Sequence, residues 1–400
     1  MQTASVRLLH ASDLHLERPV SGLAEVPDHL VNLLDAAPYQ AAERVFDRAL
    51  AESVDLVLLT GDVVDLLAAG PRAIVFLIGQ FERLRAKNIA VYWASGPAER
   101  SGPWPTAIAL PDNVHLLDSK HPRTVAMRDG APLAEIVVRS NRLHAPPLGV
   151  PRICVLRGRA KRNALAAAGA TYVALGGRHR RRTLTFAGGH AHDPGSPQAR
   201  SPDEQGPHGC SVVEIDARGE VRTKFLATEI IAFHDAHLAC EGDASASALT
   251  DRVLEHARQL LAAAPGVFGL VRYTIETGGR LAEQLRRTPL AGDVLAALRT
   301  TYGRQRPGLW TSSVECHEEH DKAARLSTED SVLGNYLRLL RETNAGQPDP
   351  LDLARLMPPG GLSADPSFAA LLAEPGSRGE ILAEAAELGI ELLEPEHTAP

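Results

Sequence analysis

The sequence predicts an α/β fold in which two sheets pack between helices as a four-layer sandwich, and three observations carry that expectation. Residues 56–60, Leu-Val-Leu-Leu-Thr, make a short apolar run that ends in Gly61-Asp62, the pattern of a strand covered on both faces. Residues 6–11, Val-Arg-Leu-Leu-His-Ala, make a first strand that runs into Ser12-Asp13-Leu14-His15. Up to about residue 95 such runs alternate with helical patterns, whereas between 114 and 226 the segments are shorter and mostly strand-like.

In chain order, the first strand leads to a helix over about 38–52, with Pro38 placed where a helix can start and Val45 and Leu50 on its apolar stripe. The strand at 56–60 leads to a helix over about 72–87 and then to a strand at 89–94. Residues 95–105 hold three prolines and two glycines, which makes them a loop. Strands are expected at 114–117, 134–139, 152–156, 172–175, 210–215 and 221–226.

A second module begins near Thr228. Leu249, Val253, Ala257 and Leu260 recur at helical spacing after Asp243, a helix-start residue. Val267, Val271, Tyr273 and Ile275 then fall on the odd positions of an alternating strand. A helix near 291–300 and a strand near 309–314 complete a small α+β domain. Beyond His320 the pattern is helical only. Ser327-Thr-Glu-Asp opens a helix bearing Val332, Leu333, Tyr336, Leu337 and Leu340, which stops at Asn344-Ala-Gly346. Amphipathic pieces follow at 366–372 and 380–388. The expected domains are therefore 1–228, 229–318 and 319–400. The tail helices serve as packing elements or as a docking segment for a partner.

Composition narrows the class. The chain of 400 residues is 44% hydrophobic and 23% charged, as soluble globular chains are. Its net charge of −7 provides no global basic field for a polyanion, so an anionic substrate must be met by local patches. Cys154, Cys210, Cys240 and Cys316 stand far apart without a Cys-x-x-Cys pair, which argues against a zinc ribbon and fits a reducing compartment. No secretory leader pattern and no run of about 18 apolar residues occurs, so a cytoplasmic protein without a membrane anchor is expected.

The chemistry concentrates at strand ends, where sites of open α/β sheets form. Asp13 and His15 are two apart, so in extended backbone they project to one side, and an oxygen with an imidazole ligand suits manganese, iron or zinc. Asp62 follows the next strand. A carboxylate there can bridge two metal ions or be a solvated turn residue; the Asp-x-His pair upstream favours the first reading.

The order of these motifs resembles the calcineurin-like metallophosphoesterases, through Leu9-His-Ala-Ser-Asp13-Leu-His15-Leu and Leu59-Thr-Gly61-Asp62-Val-Val-Asp65. Pro194-Gly-Ser-Pro-Gln-Ala-Arg200-Ser and Gly206-Pro-His-Gly-Cys-Ser-Val-Val-Glu214 narrow the resemblance to DNA double-strand-break repair exonucleases of the SbcD type, over residues 5–230. Residues 230–315 resemble that family's capping domain loosely, and the tail resembles its ATPase-gripping helices only in kind.

That resemblance implies a two-metal site. Asp13, His15 and Asp62 match three ligands of one metal, and His179, in Gly176-Gly177-Arg178-His179, matches the fourth. The positions private to the other metal are altered. Gly96-Pro97-Ala98-Glu99 stands where the family carries Gly-Asn-His-Asp, Arg157 where it carries an isolated His, and Gly177 where it carries the first His of Gly-His-x-His. Gly189-His190-Ala191-His192 is a literal Gly-His-x-His, but it directly precedes Asp193-Pro-Gly-Ser, outside that motif's usual place. One divalent ion, manganese, is therefore expected, and no second ion.

Arg157 is expected to replace part of the lost charge, pairing with Asp62 or a phosphate; the plainer alternative leaves it in solvent. Arg178 and Arg180, with Arg181, Arg182, Arg159, Lys161 and Arg162, form basic runs that are either solvated faces or phosphate contacts at the site's rim. The resemblance implies a DNA-end phosphodiesterase with reduced or lost catalysis. It leaves open a non-catalytic DNA-end-binding or regulatory subunit, and a single-metal phosphoesterase with another substrate. Its implied partners are DNA ends, a second copy of the chain and an SbcC-like coiled-coil ATPase.

Overall fold

The alternation of side chains along each strand accounts for the layering. In the first strand, β1 (Val6–Ala11), Leu8 packs into a cluster that also holds Leu56, Ile136, Val155, Tyr172 and Val213, whereas its neighbour Leu9 packs among Val45, Phe46, Leu77 and Phe81. The second strand, β2 (Leu56–Leu59), divides the same way: Leu56 and Leu58 face the other sheet, Val57 and Leu59 face helices. Runs apolar at every position are thus strands with two buried faces. The computed structural model describes residues 5–101, 104–118, 120–138, 149–158, 165, 169–186, 189–318, 326–327, 329–344 and 375–393.

The remaining strands are β3 (Ala90–Ala94), β4 (Val114–Leu117), β5 (Arg123–Arg128), β6 (Ala131–Val138), β7 (Arg152–Arg157), β8 (Tyr172–Gly176), β9 (Arg182–Phe186), β10 (Gly189–Asp193), β11 (Gly209–Ile215), β12 (Val221–Ala227), β13 (Ile231–Ala239), β14 (Phe268–Thr277) and β15 (Leu309–Glu318). One six-stranded sheet has the order β12-β11-β1-β2-β3-β4, and the other β5-β6-β7-β8-β10-β9. β1 to β4 run parallel, as do β6, β7, β8 and β10, so their carboxyl ends gather the loops that carry the candidate residues. The four-layer α/β sandwich expected from the sequence is the observed fold.

The described helices are α1 (Asp28–Ala51), α2 (Leu66–Ala69), α3 (Pro71–Arg85), α4 (Pro97–Ser101), α5 (Ala246–Ala263), α6 (Gly279–Arg287), α7 (Leu290–Tyr302), α8 (Val332–Asn344) and α9 (Pro375–Leu393). α1 corrects the sequence reading: it begins ten residues before Pro38 and carries that proline in its interior. A mid-helix proline removes one backbone hydrogen bond. The extra turns are held by tertiary burial, because Leu30, Leu34 and Ala37 pack with Ile230, Phe233 and Phe268.

Beyond the sandwich, a three-stranded sheet has the order β13-β14-β15. The chain divides into two compact units, one of 1–236, 250–273 and 292–314, the other of 237–249, 274–291 and 315–400. In the second unit α8 and α9 pack through Leu333, Leu337, Leu340 and Ile390, and Tyr336 Oη donates to Ala385 O at 2.9 Å. Arg139, Arg159, Lys161, Arg162, His320 and the expected helical piece at 366–372 lie outside the described residues. No helix among the described residues is long and apolar enough to cross a membrane.

Candidate metal centre

The loops after β1 and β2 are stitched together before any side chain acts. Asp13 N–H donates to Gly61 O at 3.1 Å, His15 N–H to Asp62 O at 2.9 Å and Leu16 N–H to Val63 O at 3.1 Å. This pairing holds Asp13, His15 and Asp62 at φ of 55°, 44° and 50°, in the left-handed region. Such conformations cost on the order of 1–3 kcal/mol each and persist where the surroundings over-determine them.

Glu99 does much of that over-determining. Its buried carboxylate accepts from the backbone N–H of Asp62 (3.2 Å), Val63 (2.6 Å), Val64 (3.4 Å) and Gly96 (2.6 Å), and from Trp93 Nε1 (3.3 Å). The loop that lacks Asn and His therefore still braces the Asp62 turn through its last residue.

Asp13, His15 and His179 converge: each offers a ligand atom, and these atoms lie within 4.8 Å of one another. The two imidazoles are oriented by carboxylates. His15 Nδ1 donates to Glu17 Oε1 at 2.8 Å, and His179 Nδ1 donates to Glu204 Oε1. A carboxylate can only accept, so Nδ1 carries the hydrogen in both rings, and the neutral ring then presents its Nε2 lone pair, the arrangement that fixes and strengthens a metal-binding histidine. Burial acts to raise the Glu204 carboxyl, but the His179 hydrogen bond and the Arg200 charge bring it down to about 2. Glu17 is likewise opposed by burial and drawn below the usual carboxylate range by His15 and the Asp65 N–H.

The donor set fits one divalent ion. Asp13 Oδ2 accepts from Ser12 Oγ (2.7 Å) and Gly177 N–H (3.0 Å), while its buried Oδ1 accepts no hydrogen bond among the described residues. A buried carboxylate oxygen left without a donor is costly, and a cation beside two imidazoles satisfies it.

Asp62, expected from the sequence as the fourth ligand, is not part of this convergent group, because both of its oxygens are engaged elsewhere. Oδ1 accepts from Ala98 N–H at 3.0 Å and Oδ2 accepts from Arg157 Nη2; each oxygen retains a lone pair. Arg157, the last residue of β7, also donates through Nη1 to Thr60 O, and its Nη2 is 4.0 Å from Asp13 Oδ1. Its side chain is only 20% exposed, so it does not extend into solvent. On this side of Asp62 the residues present do not fit a second ion. Pro97, Ala98 and Gly177 carry no donor side chain, and a guanidinium fills the place between the carboxylates.

Arg180 Nη2 donates to Asp203 O at 2.8 Å, and Arg181 lies 4.4 Å from the centre of the Phe225 ring. A groove of about 640 Å3 opens beside His179, lined by Arg180, Arg181 and the turn at 205–208. Arg178, which precedes His179 in the chain, is half-buried and is not among the residues lining that groove. The literal Gly189-His-Ala-His192 lies in β10, where His192 is held by Thr183 Oγ1 and Ser211 Oγ, each at 2.8 Å. It takes no part in the convergent group.

Sequence reasoning missed Glu17, Glu99 and Glu204. Glu17 follows His15 by two residues, but Asp13 and His15 have left-handed backbone rather than the extended backbone expected from their spacing, so no strand alternation places it. Glu99 sits three residues after Gly96, whose N–H it caps. Glu204, from the irregular Ser201-Pro-Asp-Glu turn, has no periodic signal.

Comparison with known proteins bears on residues in the same region. Residues 6–164 match the calcineurin-like phosphoesterase family. A curated relative, the uncharacterized metallophosphoesterase YhaO of Bacillus subtilis (strain 168), is 29% identical over 244 residues, covering 54% of this chain and 59% of that protein. The chain thus aligns with little more than half the length of that relative. Similar solved structures include a dimetal phosphatase from Danio rerio (10% identity, TM-score 0.35, 55% of this chain and 98% of that one). Another is Vps29 of Entamoeba histolytica in complex with zinc (17% identity, TM-score 0.24, 55% and 97%). The family match spans the Asp-x-His and Gly-Asp motifs at the strand ends, so in residues 6–164 the chain is similar to the calcineurin-like phosphoesterases.

Proposed function

We propose that this chain is a DNA-end phosphodiesterase of the SbcD kind with attenuated hydrolysis, using one divalent ion, manganese, at Asp13, His15 and His179, with Asp62 as the fourth ligand. The observation that carries the reading is the convergence of the Asp13 carboxylate with two imidazoles whose Nδ1–H groups are held by Glu17 and Glu204. A divalent ion supplies Lewis acidity toward a phosphoryl oxygen and makes water acidic near neutral pH. The protein's part is to hold the phosphodiester. Arg178 and Arg180, in or beside the groove at His179, give sequence-independent contacts to a phosphate backbone. No imidazole stands in the 96–99 loop to assist a leaving group, so binding outlasts cleavage.

The test compares wild type with His179→Ala in manganese, using end-labelled duplex DNA and bis(p-nitrophenyl) phosphate. Wild type is expected to bind DNA ends with a steep salt dependence and to hydrolyse the diester slowly. His179→Ala should lose the manganese-dependent part of both. Equal activity in the two proteins would overturn the reading.

A second reading, a regulatory subunit of a coiled-coil ATPase, draws on the tail. α8 and α9 form a helix pair whose Val332, Leu388 and Leu392 remain exposed. An apolar helix face of this kind suits a partner helix.

A further inference from the structure

Arg157 does more than neutralise a neighbour: the backbone is shaped around it. Three loops meet at its guanidinium, and each presents a glycine. A Cβ added at Gly61 would collide with Nη1 and stand 2.9 Å from Cζ; one at Gly96 would also stand 2.9 Å from Cζ, and one at Gly177 3.3 Å from Nη2. Contacts under about 3 Å are not found for real Cβ atoms, so a larger residue at Gly61 would evict the guanidinium, and one at Gly96 would press first on Asp62, 2.6 Å from its Oδ1, and then on the guanidinium. Gly61 and Gly177 also adopt φ of 91° and 88°, which a side chain would strain. Acceptors complete the seat: Thr60 O for Nη1, Asp62 Oδ2 for Nη2, and the Asp13 carboxylate 4.0 Å away.

We propose that this glycine-lined seat is a guanidinium socket, and that Arg157 is a tethered cation standing permanently between Asp62 and Asp13. The socket recognises a planar cation by shape and by donors in two directions, which a lysine ammonium or a spherical ion does not reproduce. Arg157 is here a positioning residue. It keeps the Asp62 carboxylate turned toward β7 and supplies a positive charge that neither dissociates nor ionises water. The proposal deepens the single-ion reading above, since a fixed cation at the Asp62 carboxylate takes the place of a second exchangeable ion beside the group of Asp13, His15 and His179. It stands on the metal-free geometry.

The test is therefore made without metal. Full-length wild type and Arg157→Ala are unfolded thermally in EDTA, with and without guanidinium chloride or urea at about 20 mM, where denaturing action, linear in molar concentration, is slight. Arg157→Ala should melt about 5 °C lower, because Asp62 loses its hydrogen-bonded cation and Asp13 the positive charge 4.0 Å from its Oδ1. Guanidinium, and not urea or tetramethylammonium, should restore most of that loss while leaving wild type unmoved. Titration calorimetry should find one guanidinium site in the variant and none in wild type.

If Arg157→Ala does not fold, the double variant Arg157→Ala/Asp62→Asn, which removes the unbalanced charge, should fold and show no guanidinium response. A folded Arg157→Ala indifferent to guanidinium, or a double variant no more stable than the single one, would overturn the socket. Loss of manganese binding by wild type would overturn only the metal assignment.

Discussion

At the scale of single residues, carboxylates that never touch an ion govern the site. Glu17 and Glu204 set the tautomer and direction of His15 and His179. Removing such an outer partner typically weakens metal affinity 10- to 100-fold, so Glu204→Gln should weaken manganese binding by about that factor, measured by titration calorimetry. An unchanged affinity would show that the His179 ring needs no such brace. Glu99 makes a different prediction, about stability. Glu99→Ala leaves several backbone N–H groups around residues 62–64 without their acceptor, and each buried unpaired donor costs about 1–3 kcal/mol. A loss of about 3 kcal/mol in urea unfolding is expected, and a loss below about 1 kcal/mol would mean that water replaces the carboxylate.

At the scale of elements, a polar chain runs between the sheets. His10 of β1 is held by Tyr172 Oη (2.7 Å) and Thr60 Oγ1 (3.0 Å), with the His192 ring 6.2 Å away. Burial, then the neighbouring His190 and Arg181, lower His192 to about 4. A histidine neutral in the fold but ionised in the unfolded chain lets the unfolded state bind more protons between about pH 4 and 6.5. Its contribution is therefore complete above 6.5 and falls away as the pH drops through that window. Asp193 and Glu229, both raised to about 7 chiefly by burial, act in the opposite sense, since the native state then holds the proton. The useful quantity is thus a difference: the acid-side loss of stability should be shallower in His192→Asn than in wild type by up to about 3 kcal/mol. Parallel stability curves would refute it. Elements like β2 and β8 were legible in the sequence because burial on both faces leaves an unbroken apolar run. β9 and β10, Arg-Thr-Leu-Thr-Phe and Gly-His-Ala-His-Asp, were not, since their polar positions are satisfied by partners such as Thr183 and Ser211 that only the fold brings near. The early start of α1 was hidden for a related reason: burial with residues about 200 positions away outweighs what Pro38 signals locally.

For the whole molecule, the same division holds between what is written locally and what assembly creates. Asp13, His15 and Asp62 are readable as motifs. His179 follows only from its place after a strand, and the Arg157 socket needs three loops together. The tail helices carry the remaining prediction. The protein should be a homodimer by sedimentation, and it should co-purify with an SbcC-like ATPase only while residues 321–400 are present; co-purification after their deletion would contradict that role. The central claim, one exchangeable ion beside a tethered cation, is tested most directly by counting metal. Full-length protein is saturated with manganese, desalted and analysed for manganese per chain, beside His179→Ala. The account predicts one ion per chain in wild type and background in the variant; two tightly held ions in wild type would contradict it.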